Sequence, residues 1–172
     1  VGGNMERKGL LTLIRATNLL KNKYRLKVNV VGNDPKINNY KAICRKLDIE
    51  NYFIFLGTIS PTHLKDLYSQ ADLFVLPSHE EALGISILEA MAFNTPVIGS
   101  NIGGIPEIIE NYCNGLLIEP GNEKMLANMI REIIENEYLR KNIVANAKST
   151  LNNFSTEKML NCTIDLYNKV LK

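Results

Sequence analysis

The sequence predicts an α/β protein in which a parallel sheet of about six strands is covered by helices on both faces. Two observations carry this prediction. Short β-branched apolar runs recur along the chain and are continuous rather than alternating, as in strands that are buried on both faces. Segments with helical periodicity lie between these runs, and such an alternation is typical of a Rossmann-like, doubly wound sheet. The expected strands are residues 28–31, 53–56, 73–76, 97–99 and 116–118, with residues 1–2 as the end of a sixth.

The predicted helices rest on apolar side chains spaced three and four residues apart and on residues that favour helix starts. The first helix would bury one face made of Leu10, Leu13, Ile14, Thr17 and Leu20. Residues 37–47 and 64–71 show similar periodicity. Helix starts are indicated at Ser60 with Pro61, Gly84, Pro106, Asn122 and Ser155. After residue 118 the pattern becomes helical, so we expect a helical C-terminus.

The composition is that of an ordinary globular domain, and we expect one domain over residues 1–172. Hydrophobic residues make up 45% and charged residues 22% of the chain, which excludes a disordered or collagen-like protein. No apolar run approaches the roughly 20 residues that span a bilayer. The three cysteines, Cys44, Cys113 and Cys162, are odd in number and far apart, which fits a reducing cytoplasm. Because the sequence begins at Val1 rather than at methionine, we expect it to be part of a longer protein.

Charge is distributed unevenly along the chain. The first 50 residues carry 11 Lys and Arg against 4 Asp and Glu, although the whole chain has a net charge of only +2. This segment could attract an anion. Its charges are spread out and are not interleaved with aromatic residues, so we expect no nucleic-acid partner.

The sharpest cluster of polar residues follows the strand predicted at residues 73–76. In an open parallel sheet, ligands bind beyond the carboxyl ends of the strands, where free N–H groups at helix starts attract anions such as a diphosphate. Glu81 lies in the loop before the helix that starts near Gly84, and Glu89 lies further along that helix. We expect Glu89 to be partly buried, where two ribose hydroxyls would satisfy its carboxylate. Lys8, in the first loop, is a natural partner for phosphate.

A simpler interpretation is also open for these residues. Acidic side chains near a helix start can be solvated and can complement the helix dipole without binding anything. A single lysine such as Lys8 is most often a surface residue. Spacing alone therefore leaves the site as a hypothesis.

Taken together, the motifs resemble those of the C-terminal, donor-binding half of a glycosyltransferase of family 4, which has the GT-B architecture. The resemblance covers nearly the whole chain. The matching segments are residues 1–9 (family pattern V-G-R-x-x-x-x-K-G), 31–35 (V-G-x-G-P), 55–57 (F-L-G), 71–72 (A-D), 77–78 (P-S), Glu81 with Glu89 (E-x7-E), and 103–108 (G-G-x-P-E-I). Their order and spacing make the resemblance specific.

The resemblance implies a nucleotide-sugar donor. Lys8 would bind the diphosphate, Glu81 the donor sugar near the reacting carbon, and Glu89 the ribose hydroxyls. The remaining donor-binding positions would be Leu83, Gly84 and Ile85 at the phosphates and Gly57, Thr58 and Ile59 at the base. Transfer would retain the anomeric configuration and need no metal or other cofactor; in agreement, the two histidines are dispersed and no Asp-x-Asp occurs.

The resemblance also implies partners outside this chain. An acceptor domain would precede it, and the acceptor would be a glycan or a lipid-linked intermediate, as in surface polysaccharide biosynthesis. The protein would be cytoplasmic, and the resemblance allows peripheral contact with the inner face of the membrane. We expect the isolated chain to bind donor without transferring sugar.

The chain departs from the family pattern at four places. Gly3 stands where the family usually has an arginine that contacts the diphosphate. Ala82 and Leu83 replace the usual Gly-Phe, Asn94 replaces a glycine, and Asn33-Asp34 replaces x-Gly. Asparagine tolerates a left-handed backbone, so the turn at Asn94 should survive.

Three other functions remain open from the sequence. A non-catalytic module that binds nucleotide sugars would fit Gly3, and an epimerase with a GT-B-type fold would use the same donor class. A nicotinamide-dependent oxidoreductase would need glycines at positions one, three and six of the first turn. Gly2, Gly3 and Gly9 do not supply that pattern, and only Asp34, at the end of the second strand, favours it.

Overall fold

The computed structural model describes residues 2–171, within which five strands alternate with the first six of eight helices. The strands are β1 (Val28–Val31), β2 (Phe53–Gly57), β3 (Phe74–Leu76), β4 (Val97–Ser100) and β5 (Leu116–Ile118). The helices are α1 (Leu10–Leu20), α2 (Ile37–Lys46), α3 (Pro61–Gln70), α4 (Ile85–Ala92), α5 (Ile105–Ile108), α6 (Glu123–Glu135), α7 (Glu137–Asn153) and α8 (Thr156–Val170). These five predicted strands are confirmed. Of the sixth, predicted at residues 1–2, Val1 lies outside the described residues.

All strand pairs are parallel, as predicted. β1 pairs with β2, and β4 lies between β3 and β5. The loop before α1 joins the two groups of strands: the Gly2 amide donates a hydrogen bond to the Val31 carbonyl (3.0 Å), and the His79 amide donates one to the Arg7 carbonyl (2.7 Å). Because the strands are parallel, their carboxyl ends share one edge, where the loops that precede α1, α2, α3, α4 and α5 meet.

The central strand β4 explains why the strands are apolar without alternation. Val97 packs in a cluster with residues of α4 and α5, whereas Ile98 packs in a second cluster with residues of α1 and α6. Successive side chains of a strand point to opposite faces. Helices therefore cover both faces of the sheet, and every residue of β4 is buried.

The predicted helix caps are confirmed by hydrogen bonds. Ser60 accepts the amide of His63 (3.2 Å), and equivalent bonds place Asn122 and Ser155 at the starts of α6 and α8. Asn136, which the sequence analysis did not single out, caps α7 by accepting the amide of Leu139 (3.0 Å). α5 begins at Ile105, one residue before the predicted start at Pro106.

The last helix, α8, differs from the others because every one of its residues is exposed. Its exposed apolar side chains are Met159, Leu160, Ile164, Leu166, Tyr167 and Val170. Other helices of the protein bury at least one residue against the sheet or a neighbouring helix. None of the helices in residues 2–171 is both long and apolar enough to cross a membrane.

Candidate functional site

An ion pair between Lys8 and Glu81 lies at the carboxyl edge of the sheet. Lys8 is in the turn before α1, and Glu81 is in the loop that joins β3 to α4. Lys8 Nζ lies 2.5 Å from Glu81 Oε2, and the two side chains are only 17% and 11% exposed. The sequence predicted both residues at this edge but not their contact. The lysine that was expected to meet phosphate is paired with a carboxylate.

The turn that carries Lys8 is attached to the loop after β1 by Asp34. This buried aspartate accepts the Met5 amide at Oδ2 (2.7 Å) and the Lys36 amide at Oδ1 (2.7 Å). A second link is the ion pair between Lys36 Nζ and Glu6 Oε2 (2.6 Å). Asp34, which was the one residue in favour of an oxidoreductase, therefore has a structural explanation here.

The same turn also contacts the loop after β3. Gly9 adopts a left-handed backbone with φ of 71°, and a Cβ atom at this position would lie 1.8 Å from the Pro77 carbonyl oxygen. Only glycine allows so close an approach of the two backbones. Lys8, the residue before Gly9, is thereby held next to the loop that carries Glu81.

The pKa of Asp34 lies below its usual range. The largest cause is the hydrogen bond from the Met5 amide, the second is the hydrogen bond from the Lys36 amide, and burial opposes the shift. Because the pKa is lower in the folded state, the carboxylate stabilises the fold at pH values above the ordinary aspartate pKa of about 3.9. This stabilisation is lost as the pH falls through the lower pKa of the folded state.

We therefore expect Asp34→Asn to lower the free energy of unfolding at pH 7, because the amide nitrogen cannot accept a hydrogen bond from one of the two backbone donors. The difference from the parent should shrink below about pH 4. Urea unfolding at pH 7 and pH 3 measures both effects, with Asp66→Asn on the exposed side of α3 as control. An equal difference at the two pH values would contradict the assignment.

Two glycines of the segment 103–108 shape the loop of residues 77–84, which joins β3 to α4 and carries Glu81. Gly103 has a φ of 56°, and a Cβ atom there would lie 1.7 Å from the Glu81 carbonyl oxygen. The Gly104 amide donates a hydrogen bond to the Ala82 carbonyl (3.1 Å). The backbone of residues 81–82 thus rests directly on the start of α5, which positions the Glu81 side chain.

Helix α4 starts at this loop with unpaired amides. Gly84 has a φ of 91° and is buried, and the helix begins at the next residue, Ile85, which is 63% exposed. Within residues 2–171, the amides of Leu83, Gly84 and Ile85 donate no backbone hydrogen bond. Such amides at a helix N-terminus can receive an anion.

Glu89 is exposed, so the expectation of partial burial is wrong. Its sequence neighbours are apolar, but adjacent residues of a helix do not share a face. Ile87, Ala90 and Met91 face the core, and Glu89 lies on the opposite side of α4. Its carboxylate has a partner that the sequence analysis missed: the hydroxyl of Tyr68 on α3 donates a hydrogen bond to Glu89 Oε2 (2.9 Å).

The predicted base-binding residues form the loop between β2 and α3. Gly57 ends β2 with a φ of 64°, and Thr58 and Ile59 follow it. The Gly57 carbonyl accepts the Gly32 amide (2.8 Å), which ties this loop to the loop after β1. Helix α3 follows this loop and carries Tyr68, whose hydroxyl donates the hydrogen bond to Glu89.

Asn94, the asparagine that replaces a family glycine, lies between α4 and β4 and is not in one of these loops. Its φ of 60° confirms the expected left-handed turn. Gly3, at the position of the expected arginine, is exposed. Among the described residues, no three His, Cys, Asp or Glu side chains come together in the manner of a metal site.

Comparison with known proteins identifies the family of this chain. The sequence model of the family described as "Glycosyl transferases group 1" matches residues 1–150. The capsular polysaccharide biosynthesis glycosyltransferase CapM of Staphylococcus aureus is 30% identical, and the alignment covers 100% of this chain and 46% of CapM. The chain spans less than half the length of the first curated relatives that it matches.

Solved structures show the same fold. The C-terminal domain of a glycosyl transferase group 1 family protein (LpcC) from Francisella tularensis has a TM-score of 0.81 at 28% identity, covering 89% of this chain and 82% of that domain. HepE of Anabaena, solved in complex with UDP, has a TM-score of 0.86 at 26% identity, covering 98% of this chain and 48% of HepE. With the family's motifs in place from the Lys8 turn to α5, the chain belongs to the group 1 glycosyl transferases and corresponds to the C-terminal domain of their GT-B fold.

Proposed function

We propose that this chain binds a nucleotide-diphosphate sugar and that the full-length protein transfers the sugar to an acceptor. The observation that carries the proposal is the Lys8–Glu81 pair, held by backbone contacts at the edge where α4 leaves its first amides free. A cation, a carboxylate and free amides together suit a ligand with both phosphate charges and sugar hydroxyls. The complex of HepE with UDP supports the nucleotide part of this ligand.

In the proposed mechanism, Lys8 and the amides of Leu83, Gly84 and Ile85 bind the diphosphate. Their positive charge and dipoles stabilise the negative charge that develops on the diphosphate as the glycosidic bond breaks. An incoming diphosphate competes with Glu81 for Lys8 Nζ. Once Lys8 turns to phosphate, the Glu81 carboxylate is free to accept hydrogen bonds from the donor sugar near the reacting carbon.

The nucleoside would lie between the remaining site residues. Glu89, exposed on α4, accepts hydrogen bonds from the two ribose hydroxyls. Gly57, Thr58 and Ile59 contact the base. The hydrogen bond from Tyr68 to Glu89 connects α3, which starts immediately after this loop, with the ribose site.

We further propose a retaining hexosyltransferase that needs no metal and acts in surface polysaccharide biosynthesis, in the cytoplasm or peripherally at the inner face of the membrane. The family resemblance supports retention of configuration. The similarity to CapM, whose name places it in capsular polysaccharide biosynthesis, supports the polysaccharide role. The proposal of a glycan or lipid-linked acceptor rests on the family resemblance.

Transfer would require an acceptor domain beyond these residues. The short span of the chain relative to its relatives supports this, as does the exposed apolar surface of α8, which could pack against such a domain. Closure of two domains over the donor would exclude water from the reaction. The 172 residues alone should therefore bind donor without transfer.

A non-catalytic nucleotide-sugar module is the second candidate, and Gly3 favours it. An exposed glycine in place of arginine leaves the diphosphate with one cation fewer. Such a protein would bind donor but show no transfer at full length. An epimerase would instead return an isomerised donor, so product analysis of the full-length protein separates all three.

The first test is a ligand-observed NMR titration with UDP, GDP and ADP and their common sugar conjugates. Glu89→Ala should weaken nucleotide binding by about tenfold to a hundredfold, because charge-assisted hydrogen bonds to the ribose are lost. Glu80→Ala removes a charge from the loop that precedes the same helix, without a predicted ribose contact, and should leave the affinity nearly unchanged. If none of these nucleotides binds the chain or the full-length protein, the proposal is wrong.

A further inference from the structure

Glu89 depends on one neighbour for its orientation. It is an exposed side chain with three rotatable bonds, and within the described residues its one side-chain hydrogen bond comes from Tyr68. We propose that Tyr68 is a positioning residue for nucleotide recognition, whose hydroxyl holds the Glu89 carboxylate ready for the ribose hydroxyls. This inference rests on the proposed function, in which Glu89 binds ribose.

Tyr68 itself is fixed in place by the core. Tyr68 is only 4% exposed, and its ring packs edge-on against Phe74 (5.6 Å between centroids) and stacks with Phe93 (6.1 Å). Its backbone carbonyl accepts a hydrogen bond from the buried hydroxyl of Thr95 (2.6 Å). The phenol oxygen is therefore a rigid point that the core presents to the surface of α4.

The hydrogen bond leaves Glu89 able to bind ligand. Tyr68 uses Oε2, and a carboxylate has about four acceptor positions on its two oxygens, so acceptor capacity remains for two ribose hydroxyls. A carboxylate that is already oriented loses less conformational freedom when ligand binds. The restraint should thus appear as affinity for nucleotides that carry ribose hydroxyls.

Tyr68 acts as a donor over the whole usable pH range. Burial, together with the nearby Glu89 carboxylate, raises the pKa of the Tyr68 phenol far above its ordinary value. The phenol keeps its proton, and its hydroxyl therefore remains able to donate a hydrogen bond to the Glu89 carboxylate.

A purely structural role would look different in one measurement. A buried phenol needs a hydrogen-bond partner for stability alone, and in that case removing it would affect all nucleotides equally. A positioning role predicts a loss that depends on the 2′- and 3′-hydroxyls. The comparison of a ribonucleotide with its dideoxy form therefore separates the two roles.

The experiment uses Tyr68→Phe, which keeps the buried ring and removes one oxygen. The probes are whichever of UDP, GDP and ADP binds most tightly and its 2′,3′-dideoxy counterpart, titrated by calorimetry well below the melting temperature of each variant. We expect ribonucleotide affinity to fall about two- to tenfold and dideoxynucleotide affinity to stay unchanged. Tyr112→Phe is the matched control, because Tyr112 also donates to a glutamate, Glu132 (3.1 Å), and it should change neither affinity.

Glu89→Ala makes the two levels of inference distinguishable. If it leaves the ratio of ribo- to dideoxynucleotide affinity unchanged, the ribose role in the proposed function is wrong. If Glu89→Ala removes the difference between ribo- and dideoxynucleotide affinity, but Tyr68→Phe leaves that difference unchanged, only the role of Tyr68 is wrong. The positioning role also requires that Tyr68→Phe causes no further change in nucleotide affinity when Glu89 is already replaced by alanine. Equal losses for both nucleotides on Tyr68→Phe would also overturn the positioning role.

Discussion

Replacing Gly103 by alanine is expected to destabilise the protein by about 2 to 5 kcal/mol, combining roughly 1–2 for a left-handed backbone with roughly 1–3 for overpacking. The new Cβ would lie 1.7 Å from the Glu81 carbonyl oxygen, which is far inside van der Waals contact. Because the contact is with backbone, the loop itself must move. We therefore expect the Lys8–Glu81 pair to be disrupted together with the loss of stability.

Gly57→Ala is the matched control for this prediction. Gly57 has a comparable φ of 64°, but a Cβ atom at that position would meet nothing within 4 Å. It should lose only the backbone part, about 1–2 kcal/mol. Urea unfolding measures both variants. Equal losses would show that the close approach of Gly103 to Glu81 does not constrain the loop.

Replacing Lys8 by alanine is expected to weaken binding of a nucleoside diphosphate by about tenfold to a hundredfold, while binding of the nucleoside should change little. The reason is that the proposed partner of Lys8 Nζ is a phosphate charge. Calorimetric titration with UDP and uridine, or with the corresponding pair for whichever base is preferred, measures the difference.

Glu81→Gln breaks the same ion pair from the other side and is the control for Lys8→Ala. If the pair were only structural, both variants should lose diphosphate affinity alike. In the proposed mechanism, Glu81→Gln removes a competitor for Lys8 and should keep or increase diphosphate affinity. Transfer by the full-length protein should fall much more than donor binding, and a normal transfer rate would remove Glu81 from the catalytic machinery.

Local signals explain why the elements could be predicted well. The runs that became β1 to β5 are apolar because both faces of the sheet are covered, so burial leaves a mark in each short segment. Helix starts at Ser60, Asn122 and Ser155 depend on a side chain and an amide three residues later, and this information is contained within one turn.

Contacts between distant segments explain what was missed at the site. Lys8 and Glu81 are 73 residues apart, and Tyr68 and Glu89 are 21 apart on different helices. No periodicity within one segment reports such pairs. Glu89 shows the same limit, because the direction it faces depends on which side of α4 meets the sheet.

The α/β class, the order of strands and helices, the caps at Ser60, Asn122 and Ser155, and the edge at which the motifs meet were predictable from the sequence. Each follows from spacing within a few residues or from the parallel alternation of elements. The pairs of side chains and segments in contact became known only from the folded chain: Lys8 with Glu81, Tyr68 with Glu89, and Asp34 with the turn that carries Lys8. Those contacts depend on how the loops pack at the shared edge, where Gly103 and its neighbours let backbones approach more closely than any side chain would allow.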